Sequence, residues 1–192
     1  MCALLSRAAV LASLSLAAAC DFGISDPLDD TLAPADVQGT YLVCTLRFAP
    51  VQRALPVADV LARVMDDAPR PGQPAPSITL SGTAPEFDLV YVRRGDGTLQ
   101  QLRGDVEYGR TSVFLYPSSQ TASLIALEAL LPPAHLDLVF HPATRTLTAG
   151  DEVSAYSVRR QDYARAAGIS AEGLQERIYG HVTAALAEGS CD

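Results

Sequence analysis

Between Gly39 and Arg159 the apolar residues recur at every second position, in short runs broken by glycine, proline and aspartate. Leu42, Cys44, Leu46 and Phe48 fall on one face of a first run, with Tyr41, Val43, Thr45 and Arg47 on the other. A period of two marks a strand with one buried and one wet face. Ile78 and Leu80 mark a second run and Phe87, Leu89 and Tyr91 a third. In a fourth, Leu102, Gly104, Val106 and Tyr108 alternate with Arg103, Asp105 and Glu107. Asp96-Gly97 suits a tight hairpin turn, because both residues tolerate positive φ, and Gly109-Arg110 suits another leading into Thr111–Tyr116. Leu136, Leu138 and Phe140 precede a turn at His141–Thr144, with strands near Thr146–Thr148 and Val153–Arg159. About eight short strands joined by tight turns predict a mainly β domain, an antiparallel up-and-down barrel whose closure leaves no free edge.

Three segments break the alternation. Leu55–Asp67 has helical spacing after Pro56 and predicts a short helix following the first strand. Thr121–Leu131 fits helix and strand equally. Ser170–Glu188 reads as a C-terminal helix packed outside the barrel: Ser170 can cap it, and Leu174, Ile178, Val182 and Leu186 line one stripe.

The amino terminus follows a different rule. Arg7 precedes twelve small or apolar residues, Ala8 to Ala19, which are too few to span a bilayer and suit the core of a signal peptide. Residues 1–19 are therefore expected to be a signal, and Asp21–Gln38, with five aspartates, two prolines and no cation, an acidic flexible tether. The remainder, 39–192, reads as a single domain. Of the four cysteines, Cys2 leaves with the signal. If Cys20 carries lipid, Cys44 and Cys191 remain as a pair able to form a disulfide; otherwise one thiol is left over.

Two resemblances follow from these residues. Leu16-Ala17-Ala18-Ala19-Cys20 resembles the lipobox of bacterial lipoproteins, with the large aliphatic residue one place early; it implies lipidation of Cys20 and a place in the bacterial cell envelope. The layout of 39–188, opening Gly39-Thr40-Tyr41, resembles the lipocalin-like (calycin) plan, with Tyr41 where the family's G-x-W motif has tryptophan. The resemblance implies that Arg159 or Arg160 covers that aromatic residue, and that Cys191 bonds to Cys44.

Charge and motifs narrow the functions. The chain carries net charge −8, and loss of Arg7 with the signal leaves −9, so phosphate backbones are repelled and nucleic acid is not an expected partner. No nucleophile elbow, phosphate-binding glycine loop, CxxC or HExxH motif is present, so no cofactor, metal or catalytic activity is expected. His135 and His141 stand about 20 Å apart on one strand face, too far to share a metal. The expected function is then a membrane-anchored envelope protein binding a small apolar or amphipathic ligand inside its barrel, with Leu42, Phe87, Leu89, Tyr91, Val106 and Tyr108 as wall residues. The alternative is a filled barrel serving as a structural or protein-interaction module for another envelope component.

Overall fold

The computed structural model describes residues 31–51, 54–66, 71–118, 135–149, 156–188 and 191. Cys20, most of the tether and Thr121–Leu131 lie outside the described residues. A short helix, α1 (Pro34–Val37), leads into β1 (Gly39–Pro50), the two-residue β2 (Ala58–Asp59) and α2 (Val60–Val64). An antiparallel meander follows: β3 (Ser77–Leu80), β4 (Glu86–Val92), β5 (Leu99–Tyr108), β6 (Ser112–Pro117), β7 (Leu136–His141) and β8 (Thr146–Ala149). The chain finishes with β9 (Tyr156–Val158), α3 (Arg160–Ala167) and β10 (Ile178–Leu186).

β10 closes the sheet by pairing along its whole length with β1, from Tyr41 opposite Leu186 to Pro50 opposite Ile178. Its other edge takes β8 and then β9, which together act as one interrupted strand. The result is a closed antiparallel eight-stranded barrel, as the alternation predicts. The hairpins at one end are tight. At the other end β4 and β5 also join in a short turn, but the connections after β1 and β9 are longer and include α2 and α3.

The predicted C-terminal helix is corrected by this closure: Ile178–Leu186 is a strand. Ile178 and Val182 are four apart, a spacing that satisfies a helical stripe and a strand face equally. In the barrel they point inward with Gly180 between them and Ala184 after them, while Tyr179, His181 and Thr183 alternate outward. The helix beside the barrel is instead α3, which ends at Gly168 in the left-handed region, φ 69°. The short helix after the first strand is present, but occupies only Val60–Val64 of the predicted Leu55–Asp67 and is capped by the Asp59 carboxylate.

β1 corrects a second expectation. Val43 pairs with Ala184 and Thr45 with Thr183, so Cys44 is an extra residue in a β-bulge. The bulge reverses the alternation midway: Tyr41 and Val43 are buried before it, Leu46 and Phe48 after it. Leu42 therefore sits half-buried on the outer face, not with Leu46 and Phe48. Cys44 at the bulge is bonded to Cys191, with Cα atoms 5.3 Å apart, so the C-terminal tail is fastened beside the seam between β1 and β10.

Candidate functional site in the barrel interior

Strand alternation directs Phe87, Leu89 and Tyr91 of β4 and Leu102, Val106 and Tyr108 of β5 toward the axis. The register places Leu89 opposite Leu102, and Phe87 opposite Gly104. They pack with Val113, Leu115, Leu136, Leu138, Leu147 and Ala184 in one core cluster. A void able to hold even a single water would leave accessible surface on its walls. Tyr91, Leu102, Val113, Leu136, Leu138 and Leu147 each have 0% exposure. Of the expected wall residues, then, Phe87, Leu89, Tyr91 and Val106 meet in the interior, Tyr108 reaches it half-buried near one end, and Leu42 does not.

Each end of the barrel is covered. At the tight end, α1 brings Val37 to full burial, the Tyr41 hydroxyl donates to the Val37 carbonyl at 2.6 Å, and the Leu32 N–H donates to the Gly109 carbonyl. The cation beside Tyr41 is Arg145, held at positive φ in the β7–β8 turn. Neither expected arginine is there: Arg159 lies 2.6 Å from the Asp162 carboxylate, and Arg160 donates to the carbonyls of Gln175 and Glu176. Arg145 could not be singled out from sequence, because its approach to Tyr41 depends on how two distant turns converge.

At the other end, α2 and α3 meet over β1 and β2. The Tyr163 hydroxyl donates to the Pro56 carbonyl at 2.6 Å, and Val60, Met65 and Tyr163 are buried. Asp162, at 4% exposure, takes Arg159 on one side and Arg165 at 3.7 Å on the other. Among the described residues, an open hollow of about 640 Å³ runs between the start of α3 and residues 171–178, and a smaller one of about 230 Å³ lies between α2 and α3. Neither is lined by Phe87, Leu89, Tyr91, Val106 or Tyr108, whereas Phe87 lines a small recess of about 260 Å³ with Thr79, Ser81, Glu86, Asp88 and Arg103.

Among the described residues, two inward-facing hydroxyls go unpartnered. The hydroxyls of Tyr91 and Tyr108 are buried with no hydrogen-bond partner. Burial pushes both above the ordinary tyrosine range, as it does Tyr41 and Tyr156, with Arg145 and Arg93 pulling weakly the other way on Tyr41 and Tyr91. In the unfolded chain these hydroxyls ionise near pH 10, whereas the folded barrel keeps them neutral. Above that pH the unfolded state binds fewer protons, so stability falls as pH rises. We expect the urea midpoint to drop progressively from about pH 10 upward, in step with tyrosinate absorbance. A midpoint flat through that range would show that the buried hydroxyls ionise as freely folded as unfolded.

Among the described residues no group of three or more His, Cys, Asp or Glu side chains converges as a metal site. His135 instead lies against Tyr116, ring centroids 5.4 Å apart, and the His141 Nε2 is 2.8 Å from the Thr148 hydroxyl. No helix among the described residues is long and apolar enough to cross a membrane. No family model, curated protein or solved structure matches this chain.

Proposed function

We propose that this chain is a bacterial envelope lipoprotein, anchored through lipid on Cys20, whose lipocalin-like barrel is a filled scaffold acting through its outer surface on another envelope component. The observation that carries the scaffold reading is the interior wall in which Tyr91, Leu102, Val113, Leu136, Leu138 and Leu147 have no accessible surface, covered at one end by Val37 and at the other by Val60 and Tyr163. The anchor is supported by the signal-like run before Cys20, and by the bond between Cys44 and Cys191, which leaves Cys20 as the one cysteine after residue 19 available for lipid. The tether joins the barrel at its tight end, where Leu32 bonds to Gly109, and so leaves the walls free for a partner.

A barrel that carries a small amphipathic ligand is the second reading, favoured by the interior-facing hydroxyls of Tyr91 and Tyr108. Native mass spectrometry and solvent extraction of the purified protein separate the two. The scaffold reading expects no co-purifying molecule, and a stoichiometric apolar ligand would overturn it. Cys20→Ser is expected to move the protein from the membrane fraction to the soluble fraction; unchanged fractionation would rule out the lipid anchor.

A further inference from the structure

Deepening the scaffold reading, and resting on it, we propose that the outer face of β5, β6 and β7 is a docking surface for an arginine-bearing basic segment of a partner protein. The register sets two rows across these strands. In one, Phe114 stands between Glu107 on β5 and Asp137 on β7. In the next, Tyr116 stands opposite Asp105, with His135 against its ring, and Asp105 is in turn opposite Glu86 of β4. Half-buried aromatic rings thus form a central spine with carboxylates on either side.

Three features make this arrangement unfavourable for the isolated domain. Glu86 and Asp105 are like charges directly opposite each other, which destabilises a sheet. The Asp137 Oδ1 is desolvated without a hydrogen-bond partner. The cation carried by these three strands, Arg103, is directed to Asp88 at 3.5 Å on the β4 side. A positive group arriving from outside beside Asp105 would relieve the first of these.

The spacing selects the kind of cation. Neighbouring strands are about 4.8 Å apart, so Glu107 and Asp137 flank Phe114 at a separation of about 10 Å. That is too wide for one metal ion, whose oxygen ligands sit at about 2.5 Å. A guanidinium lying flat on an aromatic ring and donating sideways to carboxylates fits it, whereas a lysine ammonium is a point charge without that planar fork. The Tyr116 hydroxyl, donating to Glu107 at 3.1 Å, holds the carboxylate beside the rings.

The test uses the mature chain with Cys20→Ser, titrated with an arginine-rich peptide and its lysine counterpart. The arginine peptide is expected to bind, to weaken as salt rises, and to lose affinity about tenfold in Phe114→Leu and in the paired Asp105→Asn, Glu107→Gln variant. Glu86→Gln, relieving the like-charge pair, is expected to leave the fold at least as stable, so it serves as a second variant if Phe114→Leu does not fold. Absence of binding, equal binding of both peptides, or binding unchanged in the variants would overturn the proposal. Because extraction for an interior ligand is a separate measurement, failure here and failure of the scaffold reading are distinguishable.

Discussion

Gly104→Ala should unfold this domain at markedly lower temperature than the parent. A Cβ placed on Gly104 would stand 2.0 Å from the carbonyl oxygen of Tyr116 and 2.6 Å from the Phe87 ring. The first obstacle is backbone in a paired strand, and the Ser118 N–H bonded to the Arg103 carbonyl at 3.0 Å keeps that strand in place. The phenyl ring is boxed into the core at 2% exposure. With neither neighbour free to yield, the cost should reach about 3 kcal/mol, the upper part of the range for overpacked interiors. For a domain of this size that corresponds to roughly 6–12 °C in Tm. Gly95→Ala is the control: nothing lies within 4 Å of its Cβ position and its φ is not in the left-handed region, so its Tm should be unchanged or slightly raised. Equal Tm values for the two variants would show that β5 and β6 separate more easily than their register implies.

Reduction of the Cys44–Cys191 bond should produce the second large loss. The two cysteines are 147 positions apart, so the bridge constrains nearly the whole domain in the unfolded state. Chain entropy alone assigns about 5 kcal/mol to a loop of that size, an upper figure because the unfolded chain is more compact than the calculation assumes. The bond also lies beside the pairing of β1 with β10, which closes the barrel and has the most distant partners in the chain. Urea unfolding with and without reductant should show a large fall in midpoint, reproduced without reductant by Cys44→Ala with Cys191→Ala and absent in Cys20→Ser. A midpoint insensitive to reductant would mean that the strand seam holds without the bridge.

The parts of the fold legible in the sequence are those in which one face of a strand is uniformly buried. β5 could be assigned to a face because Leu102, Val106 and Tyr108 alternate with Arg103, Asp105 and Glu107, and β4 because Phe87, Leu89 and Tyr91, its largest side chains, recur at every second position. β10 was illegible for a definite reason: Leu174, Ile178, Val182 and Leu186 are spaced by four, and Gly180 and Ala184, small residues that fill the inward positions between them, carry no strong hydrophobic signal. Gly180 is small because the Tyr156 ring on the facing strand occupies the space its side chain would take, 2.0 Å from a Cβ. The aromatic and acidic rows on the outer wall were hidden for another reason. Glu107, Phe114 and Asp137 are neighbours only through register, and read along the chain each is an ordinary outward position on its own strand.

The sequence by itself determined the β class, the approximate number of strands, the tight turns between the middle ones, and the inward faces of β4 and β5, because these depend on local alternation and turn chemistry. It also narrowed the paired cysteines to Cys44 and Cys191 if Cys20 is taken up by lipid. The tertiary structure decided that the last segment is a strand, that a bulge at Cys44 turns Leu42 outward and Tyr41 inward, and that Arg145 is the cation beside Tyr41. Each of these rests on contacts between residues far apart in the chain. A segment able to satisfy two periodicities takes the one that completes the barrel, since only closure satisfies the exposed edges of β1 and β8 together.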